Sequence, residues 1–358
     1  LRDKTSKKLN EFGKEIVEQI KKEEKPTMKI PVRSLSNIKW DEVSKLLTLG
    51  EKKSKRHFFN VGHARKFMQT LLIASFCKDI VDENIHASIR DMYYNLKHSI
   101  GGSHENTFEE QAESDPLIVD IETSLETLRE RLHLLADRKG VVVGNVKVRD
   151  RGDLIDWSKL GSGGWSIPSV VEDIGFEDVD ADFVLVIEKN AGFERLHEDK
   201  FWKKYNCILM GTGGQAARGT RRLIKRLADE HKLPVYVLTD SDSYGWYIYS
   251  VIKSGSMALA HASEQLGTPS AKFIGLTISD IKDYKLEKSV IRANERDIKR
   301  AKELLDYPWF QKKEWKKEIK LMLDKKIKAE IEALSSRGLK FLSETYLPEK
   351  LDSKEFLP

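Results

Sequence analysis

Cysteine is almost absent: Cys77 and Cys207 are the only two among 358 residues, and no CxxC pair occurs. That argues against a disulfide framework or a structural zinc site and fits a reducing cytoplasm. No run of about 18 apolar residues is present, so no membrane-spanning helix is expected. No signal peptide is evident. The chain opens on Leu1 rather than Met, so the natural start is expected upstream. Neither sign of charge dominates. Lys and Arg number 62 against 57 Asp and Glu, a formal net charge of +5. That excess does not by itself indicate a nucleic-acid partner, so local clustering has to decide. No internal repeat is evident. Apolar residues make up 40% of the chain, enough for a sizeable core, and the length allows two or three domains.

Residues 1–25 are rich in Lys and Glu, with Leu9, Phe12, Ile16 and Ile20 at helical spacing. They predict an amphipathic helix, ended by Pro26, that docks on a partner or on its own body. "GEKKSKRHF" (50–58) reads as a basic loop. Residues 1–61 are therefore expected to be an N-terminal extension. Residues 62–150 read as a helical unit. Phe67, Leu71, Ala74 and Cys77 mark one inner face. Leu117, Ile121, Leu125, Leu128 and Leu132 mark another, behind a start at Asp115–Pro116. Two apolar runs around "DRKG" predict a closing hairpin. Helices followed by a β-ribbon suggest a winged-helix, CAP-like domain. Residues 151–179, with "GSGGW", read as a linker. From 180 the chain alternates short apolar runs ("FVLVI", "CILM", "VYVL", "KFIGL") with helical segments, the pattern of a parallel α/β sheet. Residues 290–358 read as a charged helical tail that packs on the α/β unit or builds an oligomer interface.

"SIRDMYYNLKHSI" sets two tyrosines side by side. Ile89, Met92, Tyr93 and Leu96 share one helical stripe, and Tyr94 is turned about 100° from it. Arg90, Lys97 and His98 fall on the side of Tyr94. A phenol has a pKa near 10 and is a weak nucleophile unless cations stabilise its phenolate. The segment alone leaves two readings open: a surface tyrosine on a solvated helix, or a nucleophile beside a phosphate-holding arginine.

Acids stand at two strand ends: Glu188 after "FVLVI", and Asp240 and Asp242 in "VYVLTDSDSYGW". Functional groups of parallel sheets gather at the carboxyl ends of strands. Three carboxylates on one rim repel each other unless a cation lies between them. Oxygen-only ligands favour Mg²⁺, which usually means phosphate chemistry. Three solvated loop acids is the alternative. "GTGGQA" also imitates a dinucleotide fingerprint, although that reading leaves Glu188 and Asp242 without a role. The next helix carries Arg218, Arg221, Arg222, Lys225 and Arg226 on one face, which favours a phosphate partner.

Glu188 with "DSD" at 240–242 resembles the Toprim domain of topoisomerases, primases and some nucleases. With "RDMYY" ahead of it, the whole chain resembles the family of DNA-cleaving chains of topoisomerase VI, relatives of the meiotic double-strand-break transesterases. "IPVRSLSNI", "ARKFMQTLL", "SIRDMYYNL", "LVIEKNAGFERL", "VIKSGSMALA", "YPWF" and "YLPEKL" carry the resemblance across nearly the full length. It implies a winged-helix domain over 62–150 and a Toprim domain with a helical tail over 180–358. It implies that Tyr94 attacks double-stranded DNA to form a 5′-phosphotyrosyl link, with Arg90 as phosphate partner. Glu188, Asp240 and Asp242 would hold Mg²⁺, and Lys189 matches a family position too. No P-loop run is present, so ATP use would belong to a separate GHKL-type ATPase, the B-type chain of topoisomerase VI. It would join an A2B2 complex built on a homodimer of this chain. The location implied is cytoplasmic, at the nucleoid. Ser243 stands where the family often has Pro, and the Gly loop also lacks a common Pro. Two other functions remain in view: a Toprim metal-dependent nuclease and a non-catalytic winged-helix DNA-binding protein.

Overall fold

A computed structural model describes residues 2–358, without the side chains of Arg2 and Asp3. The chain divides into two compact units. One holds residues up to 39, 48–137 and 260–262; the other holds 40–47, 138–259 and 263–358.

The first unit is mainly helical. Helix α1 (Arg2–Lys21) buries Leu9 and Ile16 and packs on α2 (Val61–Asp82), so it docks on its own body. The stretch predicted as a basic loop is a strand instead. β2 (Lys53–His57) pairs antiparallel with β1 (Thr27–Pro31), which satisfies backbone groups while its lysines stay exposed. Helix α3 is Ile89–Leu96 and α4 is Ser114–Ser124. Leu117, Ile121, Leu125, Leu128 and Leu132 are all buried, as their spacing predicts. The α-helix nevertheless ends at Ser124; Leu125 is its C-cap residue, Leu128 precedes a short 3-10 turn at Arg129–Leu132, and Leu132 closes that turn. Asp120 ties α4 down through Arg33 and Arg56, each at 2.8 Å.

The hairpin predicted around Asp137–Gly140 does not form. Leu134–Leu135 pairs in parallel with Ala87–Ser88, whereas β3 (Val141–Val143) joins a different sheet. Residues 151–179, predicted as a linker, carry strands. β4 (Val146–Asp150), β5 (Asp153–Asp156) and β7 (Gly175–Val179) form a three-stranded antiparallel sheet, and β6 (Trp165–Ser166) pairs with β3. Val146 and Val148 of β4 are buried while Lys147 and Arg149 face solvent, the alternation of a half-buried sheet.

The second unit is built on a six-stranded mixed sheet. β8 (Phe183–Ile187) lies beside β9 (Cys207–Gly211) and β10 (Val235–Leu238), and β11 (Lys272–Gly275) follows β10, all in parallel. β3 and β6 extend the sheet antiparallel beyond β9. All five residues of β8 are buried, because a central parallel strand is covered on both faces and so reads as a continuous apolar run. Helices α5 (Asn190–Glu198), α6 (Arg218–Glu230) and α7 (Ser243–Ser254) follow β8, β9 and β10 in turn. Beyond the sheet, β12 (Ile291–Arg292) pairs antiparallel with β13 (Ile327–Lys328), and α8 (Glu295–Asp306) lies between them in the chain. The C-terminal segment packs on this unit. Tyr346 and Leu347 are fully buried, and Leu357 bridges to Phe273 of β11.

Candidate active site

Helix α3 presents the tyrosine pair. Ser88 caps it by accepting the Asp91 N–H at 3.0 Å, and Asp91 accepts the Ser88 N–H in return, a reciprocal capping box. Met92, Tyr93 and Leu96 anchor it in the core. Tyr94 is 61% exposed against 7% for Tyr93. The Arg90 guanidinium carbon lies 5.9 Å from the Tyr94 ring centroid. Lys97 departs from its predicted place beside Tyr94. The helix stops at Leu96 and Lys97 is extended, so its Nζ donates to the Tyr93 hydroxyl at 3.0 Å. Tyr93 in turn donates to the Glu109 carbonyl at 2.8 Å. The buried tyrosine therefore has a polar task besides packing. His98, likewise beyond the helix end, donates its N–H to Thr107.

The acids stand together at the carboxyl ends of β8 and β10. The Asp240 N–H reaches the Glu188 carboxylate at 3.4 Å. Burial, then repulsion from Asp240, pushes the Glu188 carboxyl up to about 7. Burial pushes Asp240 up to about 6, against the opposing pull of the Ile331 N–H and Lys189. Burial also raises Asp242. Asp242 has a second task. One oxygen accepts the N–H groups of Tyr244 (3.0 Å) and Gly245 (2.7 Å) and so caps α7. Gly245 allows this tight turn, since a Cβ there would lie 2.5 Å from the Asp240 carbonyl oxygen. The Gly-rich loop after β9 holds the first acid in place: the Gly214 N–H donates to the Glu188 carbonyl at 2.8 Å.

Residues that sequence reasoning did not assign complete this site. Strand β13 and the residues after it lie along the acidic loop. Ser241 and Ala329 exchange backbone hydrogen bonds, and the Ile331 N–H donates to Asp240 at 2.8 Å. Lys328 contacts Asp297 at 3.0 Å and Asp242 at 3.9 Å. Lys189 Nζ lies 3.1 Å from Asp240, 3.1 Å from Glu330 and 3.0 Å from Glu332. Burial pulls the Lys189 ammonium down, but Glu332, Asp240 and Glu330 together hold it above the usual lysine range. The sequence reads as helix through this tail. The helix in fact ends at Lys325, and Lys326 turns left-handed at φ 53°. Among the described residues, no three acidic, histidine or cysteine side chains close tightly enough to enclose an ion.

The cationic face of α6 is not a free surface. Arg218 and Arg221 are buried. Arg222 pairs with Glu172 at 2.9 Å, Lys225 with Asp229 at 2.9 Å and Arg226 with Glu230 at 2.6 Å. Arg226 also donates to the carbonyls of Val171 and Ile174. Arg222 and Arg226 thereby tie α6 to residues 171–174, while the pairs with Asp229 and Glu230 lie within the helix.

Residues 183–351 match the Toprim-domain family of the topoisomerase 6 A-subunit and Spo11. Residues 65–134 match Type IIB DNA topoisomerase, and 139–180 match the all-beta domain in DNA topoisomerase VI alpha subunit. The type 2 DNA topoisomerase 6 A-subunit of Pyrococcus abyssi is 47% identical over 365 residues, covering 99% of this chain and 96% of the relative. That of Hyperthermus butylicus is 48% identical, covering 98% and 95%. That of Methanocaldococcus jannaschii is 39% identical, covering 100% and 97%. The chain therefore belongs to the topoisomerase 6 A-subunit family of type IIB DNA topoisomerases.

Proposed function

We propose that Tyr94 is the nucleophile with which this topoisomerase chain cuts and rejoins double-stranded DNA. The observation that carries this is the contrast within the pair. Tyr94 projects from its helix beside Arg90, whereas Tyr93 is packed and hydrogen-bonded. The Tyr94 oxygen forms a bond to the backbone phosphorus and the P–O3′ bond breaks. The phenolic proton ends on the departing 3′ oxygen by way of solvent, and the DNA 5′ end stays esterified to tyrosine. Reversal reseals the strand without an external energy source. Arg90 holds the phosphate and offsets charge that develops on its oxygens. The helical unit around α3 would act as a winged-helix domain that brings Tyr94 to the duplex.

The acids fit a magnesium ion by their chemistry. They offer oxygen only, and the buried Asp240 and half-buried Glu188 stand side by side with raised proton affinity, the condition a divalent cation relieves. Mg²⁺ commonly keeps several waters and takes one or two carboxylates. Glu188 and Asp240 would hold it, with Asp242 as the third acid and Lys189 and Lys328 adjusting local charge. Bound there, the ion would supply charge stabilisation to the phosphate.

A double-strand break needs one tyrosine per strand, and a duplex is nearly two-fold symmetric. A C₂ homodimer is the simplest match, with a separate ATPase partner, the B-type chain, in an A2B2 complex at the nucleoid. We place each Tyr94 with the acids of the other protomer. Mixing Tyr94→Phe chains with Glu188→Ala chains tests this. Sharing between protomers leaves one intact site per heterodimer, so single-strand nicking returns. With verified exchange of protomers, no nicking rules sharing out. Covalent protein–DNA adducts on denaturing gels test the nucleophile itself: Tyr94→Phe should give none, and adducts at normal yield would overturn the assignment. A hydrolytic nuclease would leave no adduct from the unaltered chain either.

A further inference from the structure

The second unit carries a groove of about 730 Å³ lined by Arg292, Lys299, Lys302 and Lys326, with Glu295 the one acid among its lining residues. Arg292 ends β12, which pairs with β13; Lys299 and Lys302 lie on α8. All four cations are exposed, and among the described residues none is in an ion pair. This contrasts with α6, whose Arg222, Lys225 and Arg226 are neutralised by acids of the same unit. Leaving four cations of one sign beside each other costs self-repulsion, which a polyanion would offset. The N-terminus of α8 is already capped by Asn294 and Asp297, so the positive character comes from side chains rather than from free N–H groups.

We propose that this groove binds the phosphodiester backbone of the DNA beside the cleavage site. The reading of the acids as a DNA-cleaving centre underlies this. One short stretch, the left-handed Lys326 and the strand β13 that follows it, serves both places. Lys328 contacts Asp242, while Lys326, two residues back, lines the groove and accepts the Ala293 N–H at its carbonyl. Two residues of chain span at most about 7 Å, on the order of one or two nucleotide steps. A backbone with one phosphate at the acids therefore has its neighbours within reach of the groove. The lining favours a polyanion over a protein. It has no aromatic or large exposed apolar anchor, which a protein partner's energetics usually need. Its apolar part is Ala293 and Ile298, buried and half-buried.

The test uses the full chain and a short fluorescein-labelled duplex, with anisotropy followed across salt concentration. Each lost phosphate contact lowers the slope of log affinity against log salt by about 0.9. Lys299→Ala/Lys302→Ala should lower the slope by about 2 and weaken binding roughly 10- to 100-fold at low salt. Lys203→Ala/Lys204→Ala removes the same charge from another exposed site and should change the slope little. Adduct formation per bound duplex should survive in the groove variant. An unchanged slope, or a loss equal to the control's, overturns the proposal. So does unaltered DNA binding with weakened binding of the ATPase partner, which would make the groove a protein interface. The nucleophile is judged separately. If Tyr94→Phe still gives adducts while the groove slope falls, the cleavage assignment fails and the groove stands. If Tyr94→Phe loses adducts and the slope holds, only the groove fails.

Discussion

Arg90 lies beside the ring of Tyr94, its guanidinium carbon 5.9 Å from the centroid, on the turn of α3 that precedes the tyrosine. The phenol and the guanidinium are thus delivered together by one short helix whose other face is locked in the core.

Removing Arg90 should therefore damage chemistry more than binding. Arg90→Ala is expected to lower the rate of adduct formation by about 10²-fold, the usual effect of losing one charge-stabilising donor. Duplex affinity should fall far less. Tyr93→Phe should keep adduct formation but lose the bonds to Glu109 and Lys97, costing about 1 kcal/mol in chemical denaturation. Equal loss of adducts from both tyrosine variants would contradict the division of labour.

Asp242 caps a helix as well as standing in the acidic cluster. Asp242→Asn keeps a good capping side chain and removes the charge, so it should weaken divalent-metal binding at near-normal stability. Asp242→Ala should lose metal binding and a further ~1 kcal/mol of stability. Calorimetric titration with Mn²⁺ and urea unfolding separate the two effects.

Glu188 carries a pH signature. Its folded carboxyl titrates near 7 against an ordinary 4.5, so the folded state holds a proton that the unfolded chain has released in between. Its contribution is present below about 4.5 and is lost as pH rises through about 7. In metal-free buffer, Glu188→Gln should gain stability relative to the unaltered chain between pH 5 and pH 8, on the order of 2 kcal/mol. A difference that stays flat with pH would show that Glu188 does not carry the shift.

Lys189 divides its charge between Asp240 and the pair Glu330 and Glu332. Changing both glutamates to glutamine should leave the ammonium to Asp240 alone, where it competes with a metal ion. Mn²⁺ affinity, followed by electron paramagnetic resonance, should drop roughly 3- to 10-fold, a coupling of about 1 kcal/mol. Affinity that rises instead would mean that Lys189 supports the metal rather than opposing it.

The strands β8 to β11 are legible in the sequence because burial on both faces demands apolar runs whatever the partner. The strand-end position of Glu188, Asp240 and Asp242 follows from those runs, and the placing of Tyr93 inside and Tyr94 outside follows from helical period. The region 139–179 was not legible in this way. Its strands are short, and β3 pairs with β9, roughly 65 residues further along, so its register depends on a partner that no local pattern names. Lys97 shows the same limit in small. One extended residue past Leu96 moves it from Tyr94 to Tyr93.

What the sequence determined by itself is local: which segments are apolar enough to be covered, where helices are capped, and which chemical groups stand at their ends. Tertiary structure decided which charges are free. The arginines of α6 and the lysines of α8 look alike as spaced cations. Glu172 and the carbonyls of Val171 and Ile174 come from 50 residues or more earlier in the chain to engage Arg222 and Arg226, while Arg292, Lys299, Lys302 and Lys326 meet no such partner among the described residues. The reason is physical. An ionised group's energy depends on the dielectric and the charges within a few ångströms of it, and those neighbours are supplied by the fold, not by the adjacent residues of the chain.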